Sequence, residues 1–243
     1  MTMIRFRDSL LGISLMCASI LAGANALTIA GKPARDVFKD EGVVKLLKAV
    51  ISGNASEAKR LVAGGVDVNS MGEGGATPLI WMLAAHDVTA IKMLLNVGAD
   101  PNKFVLQGVG NTGFGPPVWM AAGGGQKEAL QVMLEHGGNP NLVFGNDSLL
   151  MVAVSGQHLN CAKLLLQRGA DINLSVGPMS ALTETMLHSQ FGDAIWVLNN
   201  GYTHDLLKGR RMLAIEEPRP GQEAMKAQAL EIIDRLLAAQ RER

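Results

Sequence analysis

The chain offers few residues whose types and spacing could support chemistry. Gly108-Val109-Gly110-Asn111-Thr112-Gly113 has the G-x-G-x-x-G form that brings backbone N–H groups onto a pyrophosphate. That use needs a strand before the glycines and a helix after them. Here they lie ahead of Pro116-Pro117 inside a helical register, so the stretch reads as an inserted loop. Gly123-Gly124-Gly125 lacks the Lys-Ser/Thr pair of a phosphate-binding loop and reads as a turn between helices. His86, His136, His158, His188 and His204 never adopt the i, i+4 spacing of a zinc site. There is no nucleophile elbow and no conspicuous carboxylate pair. Cys161 sits in an apolar helical pattern beside Leu164 and Leu165, where a thiol serves as small core filler. No catalytic, cofactor-binding or metal-binding residue is assigned, and the expected class is a non-enzyme.

Composition agrees with a folded chain that binds no polyanion. Hydrophobic residues make up 48% and aromatics only 4%, so aliphatic side chains must fill the core. The 22 Lys and Arg balance 22 Asp and Glu and are mixed along the chain. Nucleic acid would require a concentrated basic face. The N-terminus reads as a secretory leader over residues 1–26: Arg5 and Arg7, an apolar run over 10–22, then Ala24-Asn25-Ala26 as the cleavage site. The apolar run is short of the roughly 20 residues that span a bilayer. A leader retained as an anchor is the alternative. Met16 and Ser14 are wrong for lipidation at Cys17. The expectation is export to the periplasm with no stable membrane anchor after cleavage.

Internal similarity organises the rest. Gly65-Val66-Asp67-Val68-Asn69 returns as Gly98-Ala99-Asp100-Pro101-Asn102, Gly137-Gly138-Asn139-Pro140-Asn141 and Gly169-Ala170-Asp171-Ile172-Asn173. The closing asparagines stand at 69, 102, 141 and 173, a period near 33 residues with one longer interval at the inserted loop. Thr77-Pro78-Leu79 opens one unit, with Thr77 as helix cap and Pro78 in the first turn. Leu79, Met82 and Leu83 share one helical face, as do Ile91, Leu94 and Leu95. Gly98 then closes the second helix in a left-handed conformation.

These copies resemble the ankyrin repeat. The resemblance implies an all-α ankyrin-repeat solenoid of about four clear repeats plus degenerate terminal units. After a lead-in over 27–41, the repeats cover 42–205, as units 42–69, 77–102, 116–141, 148–173 and 180–205. Residues 206–243 form C-terminal capping helices, the last with Ala227, Leu230, Ile233 and Leu237 expected on its buried side.

Such a fold binds other proteins on its first helices and loop tips. Trp81 and Met120 occupy a first-helix position that faces the concave side in ankyrin proteins. Phe104, Val105 and Phe114 lie in the inserted loop, and Phe144 in the next. These six are the candidate partner-binding residues, with packing of loop on loop as the alternative use. Several features together resemble a narrower group: the leader, Phe38-Lys39-Asp40, the run Thr77 to Ala84, Ala121-Ala122-Gly123-Gly124, and the Pro218 to Pro220 break before the last helix. The group is the periplasmic ankyrin proteins encoded beside type VI secretion phospholipase effectors. That resemblance implies an immunity protein that binds and neutralises a lipase-type toxin effector. The alternative is a periplasmic scaffold or oxidative-stress accessory, such as a catalase-associated ankyrin protein.

Overall fold

The computed structural model describes residues 27–29, 31–104 and 114–242. The expected leader, Val105 and the glycine motif at 108–113 lie outside the described residues. The chain divides into two compact units, Met1–Asn139 and Pro140–Arg243.

The first unit opens with two short antiparallel strands, β1 (Thr28–Ile29) and β2 (Lys32–Pro33), followed by a single-turn helix, α1 (Ala34–Val37). Three helical pairs follow: α2 (Glu41–Ile51) with α3 (Ala55–Ala63), α4 (Pro78–Ala84) with α5 (Val88–Asn96), and α6 (Pro117–Gly123) with α7 (Lys127–Glu135). Helices of this length are marginal in isolation and depend on tertiary packing. Their starts are specified locally. Asp40 Oδ1 accepts from Gly42 N at 2.7 Å, Asn54 Oδ1 from Glu57 N at 3.0 Å, and Asp87 Oδ1 from Ala90 N at 2.8 Å. Thr77 Oγ1 accepts from Ile80 N at 3.2 Å, with Pro78 as the first residue of α4. Pairing then buries one row from each helix. Leu46, Leu79, Met82, Ile91, Leu94, Leu130 and Met133 are almost wholly removed from water. Each such side chain gains roughly 1.5–3 kcal/mol from burial.

The second unit repeats the plan with two-residue ribbons where extended loops were expected. Strands β3 (Val143–Phe144) and β4 (Asp147–Ser148) pair antiparallel before α8 (Leu149–Ser155) and α9 (Leu159–Gln167). Strands β5 (Ser175–Val176) and β6 (Met179–Ser180) pair before α10 (Ala181–Leu187) and α11 (Phe191–Asn199). Ser148 Oγ caps α8 by accepting from Met151 N, and Ser180 Oγ caps α10 by accepting from Thr183 N, each at 3.2 Å. Two further helices, α12 (Leu206–Ile215) and α13 (Glu223–Arg241), close the unit. Gly209 allows α12 to lie close against α10: a Cβ there would stand 2.5 Å from Leu182 Cδ2.

The closing asparagines make the repeat a physical unit. Asn69 Oδ1 accepts from Asp100 N at 2.7 Å, and its Nδ2 donates to Gly98 O at 3.1 Å. Asn102 makes the same pair of bonds to Asn139 N and Gly137 O, both at 2.9 Å. In the second unit Asn141 bonds Asp171 N at 2.7 Å and Gly169 O at 3.1 Å. Asn173 accepts from Thr203 N at 2.7 Å and His204 N at 3.0 Å. Each asparagine thus satisfies the backbone at the end of the following helical pair, which explains its recurrence at this spacing. No asparagine continues the series after 173, because Asp205 instead caps α12 from a left-handed conformation (φ 42°).

The buried side of the last helix differs from expectation. Ala229, Ile232, Ile233 and Leu237 face inward, while Ala227 is exposed. The i, i+3, i+4, i+8 set starting at Ala229 is the one that meets α11 and α12. Lys226, expected on the wet side, donates to the terminal carbonyls of α12, Ala214 O at 3.0 Å and Glu216 O at 2.7 Å. This satisfies acceptors that the helix leaves unpaired.

Candidate functional site

The best-formed recess of the first unit is an apolar cleft of about 270 Å³. Its wall comes from the lead-in: Ile29 on β1, Lys32 on β2 and Val37 on α1. Its floor is α4, through Ile80, Trp81 and Ala84. The turn before α4 supplies Glu73, Gly74 and Ala76, and Phe114 completes the lining. Two local devices hold Phe114 there. Its N–H donates to Gly74 O at 3.2 Å, and its ring edge would lie 3.7 Å from a Cβ at Gly74. Gly74 adopts φ +67°, which favours glycine, and the missing side chain leaves room for the ring.

Trp81 is held from behind. Its ring meets Phe38 edge to face, with centroids 5.8 Å apart and planes at 73°. Phe38 is buried at 2% exposure and Trp81 at 5%, so the indole is more floor than protruding anchor. The polar groups of the lining are Lys32 and Glu73, joined at 2.9 Å and both largely exposed. The hydrogen bond from Lys32 holds the Glu73 carboxyl below its ordinary range. The cleft therefore presents an apolar interior beside a neutralised ion pair. That combination suits a nonpolar side chain carried on a polar backbone.

The structure distributes the six candidate residues unevenly. Trp81 and Phe114 come together in the cleft. Phe104 is 36% exposed, and Val105 lies outside the described residues. Met120 on α6 and Phe144 on β3 are buried, at 7% and 8% exposure, so they do not stand at the surface as contact residues. The two-residue strand explains Phe144. Side chains alternate along β3, sending Phe144 inward and leaving its neighbour Val143 38% exposed. Ile29, Lys32 and Val37 were missed because the lead-in carries no repeat signature.

A second feature lies in the other unit. Counting from the N-cap, Trp81, Met120, Val152 and Glu184 are equivalent positions in four first helices. All are 4–7% exposed, yet the last is a carboxylate. Burial, then the charge of Asp147 on β4, pushes Glu184 up to about 7, against a lowering hydrogen bond from Ser155. Burial also raises Asp147. Sequence reading found no carboxylate pair because these residues belong to different repeats. The available signal was a Glu aligned with Trp, Met and Val.

Histidines serve the helix ends. The His136 ring nitrogens lie 2.8 Å from Val132 O and 3.2 Å from Asn96 Oδ1, and His188 Nδ1 lies 3.1 Å from Glu184 O. His86 takes a left-handed backbone (φ 54°) at the turn after α4. Cys161 is buried on α9. Among the described residues, no group of three or more His, Cys, Asp or Glu is placed to hold a metal ion. No helix among them is long and apolar enough to cross a membrane.

Comparison with known proteins agrees with this architecture. A family model described as ankyrin repeats (3 copies) matches residues 103–176. An ankyrin repeat domain-containing protein, SAT10, from Stachybotrys chartarum is 29% identical over 130 residues. The match covers 54% of this chain and only 6% of SAT10. The crystal structure of the human ASB11 ankyrin repeat domain superposes with a TM-score of 0.54 at 21% identity, over 79% of this chain and 82% of that one. The chain is built of ankyrin repeats, a fold that generally serves as a non-catalytic protein-interaction module.

Proposed function

We propose that the chain is an exported immunity protein, which acts in the periplasm by binding and neutralising a lipase-type toxin effector. The observation that carries the binding reading is the cleft: a preformed apolar recess with Trp81 on its floor and Phe114 on its wall. Large apolar and aromatic side chains in desolvated pockets supply much of the energy of protein interfaces. A volume of about 270 Å³ accepts one large side chain of the partner. The leader pattern at 1–26 supports export, and the resemblance to periplasmic ankyrin proteins beside phospholipase effectors supports the immunity role. Neutralisation is steric in this account. The bound module covers the effector's active site or blocks its closure, and nothing is consumed.

The test is capture from the periplasm followed by an activity assay. The purified chain, returned to a periplasmic extract, is expected to retain a lipid hydrolase. Adding the chain to that hydrolase is expected to abolish activity near one-to-one stoichiometry. Retention of a catalase, with hydrolase activity untouched, would transfer the function to oxidative-stress protection.

A further inference from the structure

We propose that Asp147 and Glu184 form a proton-dependent latch, which seats α10 on α8 while the pair holds a proton and loosens that seat when both carboxyls are ionised.

The geometry begins with where Glu184 sits. Its side chain is 6% exposed on α10, a helix whose Leu182, Thr183, Thr185 and Met186 are also buried. Its hydrogen-bonding partner is Ser155, the last residue of α8. Ser155 is held from a second side, since Gln190 Nε2 donates to Ser155 O at 3.1 Å. Gln190 Oε1 is itself buried without a hydrogen-bond partner. Asp147, on β4, brings a second carboxyl to this junction. One residue from each of two successive repeats therefore contributes an acid to the same dry contact.

The surrounding elements bring no cation to balance the pair. Helix α8 and strands β5 and β6 carry no titratable side chain. Helix α11 adds Asp193, another carboxyl raised by burial. Helix α12 carries Lys208, Arg210 and Arg211. Lys208 Nζ is spent on Pro178 O, Arg210 pairs with Asp234, and Arg211 is exposed. His188, at the end of α10, puts Nδ1 on the Glu184 backbone carbonyl, and Arg219 donates to His188 O at 3.3 Å. Two acids sharing a desolvated site without a counter-ion cannot both ionise cheaply. The pair accordingly retains a proton near neutrality, with Glu184 pushed up to about 7.

The sign follows from linkage. The folded state binds this proton more tightly than the unfolded chain, whose glutamate titrates near the ordinary 4.5. The stabilisation is complete below that value and is lost as pH rises through about 7. The strain falls on the contact of α10 with α8, so loosening starts there.

The experiment uses the full chain, Glu184→Gln and Asp147→Asn. Glutamine keeps the shape and the bond to Ser155 but cannot ionise. Thermal midpoints are followed from about pH 5.5 to about pH 8.5, and amide exchange is compared at the two ends after correction for intrinsic rates. The wild-type midpoint is expected to fall through neutrality. Glu184→Gln should remove that fall and exceed wild type at the alkaline end. Asp147→Asn should move the step to lower pH, because the raising charge is gone. Protection of α10 amides should drop at least about tenfold between the acid and alkaline ends, ahead of the rest of the chain. Parallel profiles for wild type and Glu184→Gln overturn the latch. An unmoved step in Asp147→Asn, or exchange that rises uniformly along the chain, overturns it too. Should Glu184→Gln fail to fold, the Asp147→Asn step and the wild-type exchange pattern still decide.

Discussion

Replacing Asn102 with alanine removes two hydrogen bonds and little else. The side chain accepts from Asn139 N and donates to Gly137 O, both at 2.9 Å, across one full repeat. A net intramolecular bond contributes about 0.5–1.5 kcal/mol, so the pair bounds the loss at about 1–3 kcal/mol. Asn102 is half-buried, and water can reach the turn it serves. The lower part of that range, about 1–1.5 kcal/mol, is the expected outcome. The packed row of Ile91, Leu94 and Leu130 does not move, so the urea dependence of unfolding should keep its slope while the midpoint falls. Asn69→Ala removes the equivalent pair one repeat earlier, to Asp100 N and Gly98 O. The double variant should sum the two losses within about 0.5 kcal/mol, since the sites bond different turns. A loss under about 0.3 kcal/mol for Asn102→Ala would refute the reasoning. The recurring asparagine would then be a feature of the turns alone and not of their stacking.

Two further outcomes are expected. Leu165 is fully buried on α9, and Leu165→Ala should cost about 2–5 kcal/mol in denaturant unfolding; a loss below about 0.5 kcal/mol would contradict the packing of that helix. Exported protein should begin at Leu27 on N-terminal sequencing, after cleavage at Ala24-Asn25-Ala26, and a species retaining Arg5 and Arg7 would mean an anchored leader instead.

What was legible in the residues was whatever repeats. The asparagine spacing marked the stacking bonds because each copy makes the same bonds to the next turn. Thr77 and Pro78 announced α4 because a cap and a first-turn proline act locally. Gly98 stood where a left-handed residue was required, at φ +98°. The candidate site was only partly legible. Trp81 and Phe114 were singled out as apolar residues in unusual places, but their meeting in one cleft depends on the lead-in folding over α4. The lead-in occurs once, so no second copy reveals it. Phe144 went astray through parity: in a two-residue strand, neighbouring side chains point to opposite faces, and hydrophobicity alone does not choose between Val143 and Phe144. Asp147 and Glu184 are brought together only by the packing of successive repeats.

The most direct test of the cleft as the partner's seat is a binding titration on Phe114→Ala. Phe114 lines the cleft while remaining half-exposed, whereas Trp81 is buried, so truncating Trp81 would confound binding with a stability loss of about 3–5 kcal/mol. The titration uses the hydrolase captured from the periplasm, with the unfolding midpoint of each variant measured alongside. Ala84→Leu fills the same cleft from α4 and serves as an independent block. The account predicts that both variants keep the wild-type midpoint within a few degrees and bind at least about thirtyfold more weakly, the loss of one hot-spot contact. Full affinity in both folded variants would contradict it and move the binding surface away from the Trp81–Phe114 cleft.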